Sequence, residues 1–447
     1  MTSPTVAPPE ALSTPRLWAS AVGTLALVVA LAGDGIRNLI GLWGFTALSI
    51  LTALGCLALL VILRPRFDRR RIPKALLAYT GFAILSVAWS AYPGASLFTL
   101  TGMLLCTIAG VFLALVFEWA GFVRIFANAI KWVLALSLLF ELWVSLVVRD
   151  KVLPLWVDFG DDPPLLAFWS RNLLFDGGKI QGVLGNSNLL AIIALFGLIV
   201  FALQWAAGTV RRASSIVWIV LAAAVFLLTR SSTMIIAAVV VVLVLAAALL
   251  IRNAGTPAGR TPIYLAFLGV LAAAAVAVTL FSEQLLGLFG KSDDLTGRLD
   301  IWQTVFDAAS ERPWFGWGFS SPWVPWVEPF NDLVVRRGVL QLHAHNAWLD
   351  VWFQLGVVGL VLFAALIVSV TWRSWFAAVD RPRIGLDDSL GYSPLSLLPI
   401  LLMTVLLVQS LAESRILIES GWVLLALLTV ATKQQSVVRP AVQMSPR

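Results

Sequence analysis

The sequence predicts an all-α polytopic membrane protein with about twelve transmembrane helices and two larger extracytoplasmic loops. Hydrophobic residues make up 60% of the 447 residues and charged residues only 12%, and the mean hydropathy is +0.92. A soluble domain of this length needs far more charge to cover its surface. Runs of roughly 20 apolar residues recur instead, and each is long enough to cross a bilayer core of about 30 Å.

The apolar segments divide the chain into candidate spans and tails. The spans lie at residues 17–32, 42–63, 75–91, 97–117, 128–148, 187–205, 214–229, 233–251, 263–281, 347–371, 395–410 and 421–432. They predict one integral membrane domain at 17–432, between an N-terminal tail at 1–16 and a C-terminal tail at 433–447. The first tail is polar and lacks a basic start, so a signal peptide is not predicted. Both cysteines fall in apolar segments, which disfavours a disulfide framework.

The Lys and Arg residues predict that both tails are cytoplasmic. With the N-terminus inside, the inner loops receive the larger share of the 31 basic residues, including the run "RPRFDRRRIPK" at 64–74. The net charge of +7 is spread over these loops, so it fits the anionic cytoplasmic leaflet better than a nucleic acid. The sequence shows no inverted pair of Gly- or Pro-broken spans, which disfavours a secondary transporter.

Two outer loops, at 149–186 and 282–346, are much longer than the other outer connections. We therefore expect any extracytoplasmic chemistry to be built in these two loops. In the larger loop, apolar residues at helical spacing predict a helix on the membrane interface: Leu299, Trp302, Val305, Phe306 and Ala309. The tryptophans that follow suit either an aromatic belt or an entry for a lipid-borne sugar: Trp314, Trp317, Trp323 and Trp326.

Arginine and lysine gather at the outer ends of the spans, without a strong acidic cluster opposite them. This pattern favours an anionic ligand such as phosphate or pyrophosphate, because a guanidinium binds two oxygens at once. Arg230 ends one span and can equally be an interfacial anchor. Glu141 lies inside a span, where we expect it to balance one of the arginines.

The two histidines of the chain, His343 and His345, precede a long apolar segment. Three interpretations are open: a metal site, interface residues without chemistry, and a general base. No third histidine, cysteine or carboxylate cluster accompanies the pair in the sequence, which disfavours the metal site. An unperturbed imidazole titrates near pH ~6.5, so it can accept a hydroxyl proton at neutral pH.

At these histidines the sequence resembles the bacterial O-antigen ligase and O-antigen polymerase-like superfamily. In that family a His is followed by Asn, Ser or Gln, then nine residues, Gly, two residues, and Gly, Thr or Tyr. His345, Asn346, Gly356 and Gly359 occupy these places without a gap. Both glycines lie on one helix face, where we expect them to let a neighbouring helix pack closely.

Two upstream stretches carry the same resemblance. "TGRLDIWQTVFDAASERPWFGWGFSS" is similar to the family's "GR" stretch before an amphipathic helix, which assigns Arg298. We expect Arg298 at the start of that helix, where backbone N–H groups also favour anions. "KIQGVLGNSNLLA" is similar to an R-x-x-G…N-x-N segment, with Lys179 where the ligases usually have Arg. This second match assigns three further residues: Gly182, Asn186 and Asn188.

The resemblance implies a membrane-embedded, inverting glycosyltransferase that needs neither metal nor cofactor. It implies transfer of a preassembled glycan from undecaprenyl-pyrophosphate to a glycan or lipid acceptor on the outer face of the bacterial plasma membrane. His345 is then the general base and His343 a supporting residue. The candidate donor contacts are Arg298, Lys179, Arg230 and Arg415. A polymerase of the same superfamily, which extends lipid-linked repeat units, and a lipid-glycan transporter are the alternatives.

Overall fold

The computed structural model describes residues 14–157, 159–254, 256–280, 293–336, 338–381 and 391–435. Its helices are α1 (Thr14–Leu31), α2 (Gly33–Leu63), α3 (Lys74–Leu85), α4 (Pro93–Val116), α5 (Trp119–Trp143), α6 (Ser187–Ala206), α7 (Arg212–Thr229), α8 (Ser232–Asn253), α9 (Pro257–Leu280), α10 (Asp293–Glu311), α11 (Ala347–Val379), α12 (Leu398–Ser410) and α13 (Glu419–Gln434). One short hairpin joins β1 (Val335–Arg336) to β2 (Val339–Leu340). The predicted all-α membrane fold is confirmed.

Each of the twelve predicted spans coincides with one of these helices, and α10 is the additional helix of the larger outer loop. In the described part of the chain, eight helices are long and apolar enough to cross a membrane: α1, α2, α4, α5, α6, α7, α8 and α11. The apolar helices at Lys74–Trp89 and Pro394–Ser410 are shorter. The number of crossings therefore stays a prediction. So do the tail boundaries, because residues 1–13 and 436–447 lie outside the described residues, as do 281–292 of the larger loop.

The centre of the bundle is formed by α6, α12 and α13, whose side chains are buried on almost every face. Such helices are apolar all round because no side of them is exposed to water. Helix α13 packs closely on α4: a Cβ at Gly110 would lie 2.7 Å from the Val423 carbonyl oxygen. The Trp422 indole N–H donates to Thr107 Oγ1 across the same contact, at 2.8 Å. This packing fixes the position of the short connection at residues 411–418, which precedes α13.

Helix α10 packs on the N-terminal part of α11, and residues at the start of α4 belong to the same buried cluster. Its inner face is Ile301, Val305 and Ala309, which join a second buried cluster with Trp323 and Phe353. The predicted helix is therefore present. The four tryptophans that follow it differ in burial. Among these, Trp323 is a core residue at 1% exposure, whereas two are largely exposed: Trp314 at 65% and Trp326 at 57%.

Helix α11 is kinked at Gly356, where φ is +65°. The kink leaves backbone groups of α11 without helical partners, and residues 313–318 of the larger loop bind them. The N–H of Val357 donates to the Pro313 carbonyl at 2.8 Å, and the N–H of Gly318 donates to the Gln354 carbonyl at 2.9 Å. The expected packing of a neighbouring helix on the two glycines is therefore wrong. A Cβ at Gly356 would overlap the loop backbone, and one at Gly359 would meet Leu355 of its own helix.

Candidate functional site

The residues that the sequence singled out meet at Glu413, which lies in the short connection at 411–418. Its Oε1 accepts from Arg298 Nη2 at 3.1 Å and from Asn188 Nδ2 at 3.3 Å. Its Oε2 lies 2.9 Å from His345 Nδ1. Burial opposes ionisation of Glu413, but its interactions with His345, His343 and Arg298 outweigh burial and hold its pKa below the usual range. Glu413 is therefore an ionised carboxylate shared by an arginine and a histidine.

His345 lies in the turn immediately before α11, with a left-handed backbone at φ +51°. This conformation is strained for a residue with a side chain, and such strain concentrates at functional sites. Asn346 is the N-cap of α11, because its side chain accepts from the N–H groups of Trp348 and Leu349 at 3.0 and 3.2 Å. The second ring nitrogen of His345, Nε2, lies 2.9 Å from Gln341 Oε1. Both ring nitrogens therefore have fixed partners.

His343 supports the turn that carries His345. Its Nδ1 accepts from the backbone N–H of His345 at 3.2 Å, and the two ring centroids are 4.1 Å apart. Burial and the neighbouring His345 lower the pKa of His343 to about 3. At neutral pH His343 is therefore uncharged, as acceptance at Nδ1 requires. The supporting role predicted for His343 is compatible with this geometry.

Asp350, in the first turn of α11, joins the histidine turn to the connection that carries Glu413. Its Oδ2 accepts from the backbone N–H of Ala344 at 3.1 Å and from the Ser414 hydroxyl. The carboxylate is fully buried, and the amino end of a helix is a favourable place for a negative charge. Asp350 therefore fixes His345 and Glu413 relative to each other.

A possible metal site is also formed here. One ligand atom each from His343, His345 and Glu413 lies within 4.8 Å of the other two. The sequence showed no carboxylate cluster beside the histidines, and the fold supplies a single carboxylate, Glu413, which lies 68 residues from His345 along the chain. Such a donor set suits zinc and similar ions. Arg298 binds the same carboxylate, and its positive charge opposes a cation at that position.

The smaller outer loop reaches the site through the N-x-N segment. Asn186 is the N-cap of α6 and accepts from the N–H groups of Asn188 and Leu189. The Asn188 side chain donates to Glu413 and accepts from the Ser231 hydroxyl at 2.7 Å. Asn188 therefore connects Glu413 to the turn between α7 and α8.

Glu141 organises the same loop from within the membrane. It accepts from the N–H groups of Gln181 and Gly182 at 2.8 and 2.7 Å, and from the Ser170 hydroxyl at 2.9 Å. Gly182 has φ +58°, and a Cβ there would overlap Ser137. We expected Glu141 to pair with an arginine, and it binds the loop instead. The loop brings backbone N–H groups into the bundle, and these groups need an acceptor.

The candidate donor contacts fall into two groups. Arg298 is buried at Glu413. Lys179 precedes Ile180, whose N–H donates to the Leu228 carbonyl at 3.2 Å, so Lys179 lies beside the end of α7 that carries Arg230. Arg230 directly precedes Ser231, whose hydroxyl donates to Asn188, and its guanidinium approaches Gly177 of the smaller loop. Helix α10 begins at Asp293, earlier than expected, so Arg298 approaches the site by its side chain and not beside helix-end N–H groups.

Arg415 belongs to a separate group of paired charges. Its guanidinium donates to Asp34 and Glu419, and Arg37 donates to the same two carboxylates. Burial lowers the pKa of Arg415, but Asp34 and Glu419 outweigh it and raise the pKa. The expectation that no acidic cluster faces the cations is therefore wrong, because Asp34 is 381 residues from Arg415 in sequence. This pairing makes Arg415 a weaker candidate for a donor contact than Arg298.

Three residues of the site were missed in the sequence: Glu413, Gln341 and Asp350. The expectation that only the two long outer loops build the site excluded Glu413, which lies in a short connection. Asp350 gave a signal that was not used, since it is an acidic residue at the start of an apolar segment. Gln341 gave none beyond its closeness to the histidines.

Comparison with known proteins supports the resemblance. Residues 217–364 match the O-antigen ligase family model. The exopolysaccharide production protein ExoQ of Rhizobium meliloti is 31% identical over 123 residues, which cover 25% of this chain and 27% of that protein. An O-antigen ligase of Pseudomonas aeruginosa is 32% identical over 78 residues, which cover 17% of this chain and 18% of that protein. The matched family region and the two partial relatives relate this chain to the O-antigen ligase-like superfamily, as the histidine motif predicts.

Proposed function

We propose that the protein transfers a preassembled glycan from undecaprenyl-pyrophosphate to an acceptor hydroxyl, without a metal ion. The observation that carries this proposal is that Glu413 binds both His345 and Arg298. A base held by a carboxylate, beside an arginine suited to phosphate, is what this reaction requires. The family match supports the glycan-processing class.

The chemical step is a single displacement. Glu413 accepts a hydrogen bond from the Nδ1–H of His345, so the base is Nε2, whose neighbour Gln341 Oε1 has to give way to the acceptor hydroxyl. Nε2 takes the proton of the acceptor hydroxyl while its oxygen forms a bond to the anomeric carbon. The bond from that carbon to the pyrophosphate oxygen breaks, and its electron pair stays on the pyrophosphate. Attack opposite the leaving group inverts the anomeric centre.

Arg298 stabilises the charge that grows on the leaving group. A guanidinium has five N–H donors, and the contact with Glu413 uses one of them. The remaining donors can bind pyrophosphate oxygens, and a buried position strengthens that attraction. Arg230 precedes Ser231, the partner of Asn188, and Lys179 precedes Ile180, which is bonded to the end of α7. These chain positions support their assignment as further phosphate contacts.

The topology proposed from the basic residues agrees with this chemistry. The basic run at 64–74 connects α2 to α3 at the end of the bundle opposite the site. With this run in the cytoplasm, both tails are cytoplasmic and the site faces outward from the bacterial plasma membrane. Reporter fusions after α1 and after α2 test this orientation, which a cytoplasmic signal from the α1–α2 turn would contradict.

The test of the proposed function is glycan transfer by purified protein, with and without EDTA. His345→Ala should lose about 10²–10⁴ in rate, the usual contribution of a general base. His343→Ala should stay within several-fold of the parent, because its role is support. Turnover abolished by EDTA, or equal losses at both histidines, would favour the metal site instead.

A polymerase is the second candidate, because one relative is named for exopolysaccharide production and the other for O-antigen ligation. The two activities share the donor chemistry and differ in the acceptor. A gene deletion distinguishes them through the glycans left on the lipid carrier. Loss of a polymerase leaves single repeat units, whereas loss of a ligase leaves long chains. A transporter would keep its function in His345→Ala.

A further inference from the structure

The amide of Gln341 occupies the position next to the reactive nitrogen of His345. Its Oε1 lies 2.9 Å from His345 Nε2. Its Nε2 donates to the Val339 carbonyl, also at 2.9 Å. The second contact fixes the orientation of the amide, because only the nitrogen can donate to a carbonyl oxygen. The Gln341 oxygen can only accept, so its contact with His345 requires a proton on Nε2. His345 can act as the base only after this oxygen has left and Nε2 has lost that proton.

A substrate hydroxyl and the Gln341 amide cannot both occupy this position. His345 is only 16% exposed, and its Nδ1 is already bound to Glu413. A hydroxyl that gives its proton to Nε2 must therefore replace the Gln341 oxygen. Removal of the amide also leaves the Val339 carbonyl without its donor, and an unpaired polar group at a partly buried position costs free energy. A favourable replacement fills both positions.

Two neighbouring hydroxyl groups on one sugar ring meet this requirement. One hydroxyl donates to Nε2 of His345, and the adjacent hydroxyl donates to the carbonyl of Val339. The amide of Gln341 reaches the same two groups from two atoms on one carbon, but its oxygen accepts from Nε2 where the hydroxyl donates. Water or an isolated alcohol satisfies only one of the two positions.

The segment that carries Gln341 is suited to such a displacement. Gln341 directly follows the hairpin of β1 and β2, and its N–H donates to the Val334 carbonyl at the base of the hairpin. The hairpin has two residues in each strand, and Val335 is 59% exposed. Val334 lies in the second buried cluster, and the Leu342 carbonyl accepts from the Trp323 N–H. The displacement is therefore a rotation of the Gln341 side chain, which leaves the backbone of this segment in place.

We propose that Gln341 holds the acceptor position until a sugar with two adjacent hydroxyls displaces it, and that it keeps water from His345 meanwhile. This inference rests on the proposed function and specifies its acceptor as a vicinal diol of a glycan. One diol hydroxyl gives its proton to His345 and its oxygen to the anomeric carbon. The pyrophosphate leaves with the electron pair of the bond that breaks.

The experiment uses Gln341→Ala, Gln341→Asn and the parent, each purified in nanodiscs with lipid-linked glycan from the host. Ethylene glycol and ethanol are the probe acceptors, and water is the third. Both variants vacate the position, so release of free glycan to water should rise about tenfold, the factor that one lost hydrogen bond can give. In both variants ethylene glycol should form its glycoside about tenfold faster than ethanol, beyond the statistical factor of two.

Gln303→Ala is the matched control, because Gln303 also forms a side-chain hydrogen bond but lies exposed on α10. It should show the parent's release and acceptor preference. Parent-like release in both Gln341 variants, or equal use of ethanol and ethylene glycol, would overturn the inference. The variant His345→Ala distinguishes failure of the inference about Gln341 from failure of the proposed function. If His345→Ala abolishes transfer while the Gln341 variants match the parent, only the role of Gln341 is wrong.

Discussion

Replacement of Glu413 by glutamine tests how the site selects the reactive nitrogen of His345. Glu413 offers two acceptor oxygens, one toward Arg298 and Asn188 and the other toward His345. Glutamine has nearly the same shape but only one acceptor oxygen. Two strong donors, Arg298 and Asn188, hold that oxygen on their side, so the amide N–H₂ faces His345 Nδ1.

An amide that donates to Nδ1 selects the wrong tautomer. His345 then carries its proton on Nε2, where it cannot accept a proton from the acceptor hydroxyl. Loss of the carboxylate also removes the charge that stabilises the imidazolium formed in the reaction. We expect kcat to fall by about 10²–10⁴, the range for loss or misorientation of a general base. The donor KM should stay the same or decrease, because Arg298 is released from its ion pair.

The assay is glycan transfer by purified Glu413→Gln at varied donor concentration, with thermal unfolding as the check on folding. Glu118→Gln is the control, since Glu118 precedes α5 at the opposite end of the bundle. A parent-like kcat would refute the orienting role. A raised donor KM with unchanged kcat would refute it also, because it would make Glu413 a determinant of donor binding.

Substitutions at three further positions test the other parts of the site. Arg298→Ala should leave the fold intact and abolish transfer, and unchanged donor affinity and turnover in this variant would exclude it as the pyrophosphate contact. Lys179→Arg should retain or improve activity and Lys179→Gln should lose most of it, because the position needs a positive charge. A fully active Lys179→Gln would assign the phosphate contact to Arg230 instead. Asp350→Asn should lower the unfolding free energy by about 1–3 kcal/mol, because the new amide N–H₂ has to face a buried donor: Gln354 Nε2 on one side, or the Ala344 N–H and the Ser414 hydroxyl on the other. An unchanged melting temperature for Asp350→Asn would contradict its bridging role.

The parts of the molecule that could be predicted from sequence are those with a local signal. Each apolar segment became a helix because about 20 apolar residues satisfy the hydrophobic and hydrogen-bonding demands of a membrane by themselves. Helix α10 followed from the spacing of residues such as Val305 and Ala309. His345 and Arg298 followed from short motifs. None of these required knowledge of which segments meet in space.

The parts that could not be predicted depend on contacts between distant segments. Glu413 is 115 residues from Arg298, and Arg37 is 382 residues from Glu419. The sequence therefore presented the arginines as unpaired cations, whereas the fold supplies their carboxylates. Loop length was also a poor guide, because a short connection can contribute a central residue when the helices on either side are fully buried.

The position of His345 depends on tertiary contacts and not on the local feature that the sequence suggested. The sequence suggested that glycines in α11 fix its rotation against a neighbouring helix and so hold His345. The left-handed backbone of His345 costs about 1–3 kcal/mol, and it persists only where surrounding contacts over-determine it. Those contacts come from the Asn346 cap, from Asp350 and from His343.

The kink at Gly356 also connects the segment after His345 to the larger outer loop. Residues 313–318 bind the backbone on both sides of the kink, so residues 347–355 of α11 are bonded to the larger outer loop as well as to the membrane helix that follows. The same loop continues into the hairpin and Gln341, and it begins with α10 and Arg298. The proposed donor contact, base and acceptor position therefore lie on one connected segment of the chain. Glu413 approaches this segment from the fully buried end of α12, so a movement of the outer loop changes the distances from Glu413 to both His345 and Arg298.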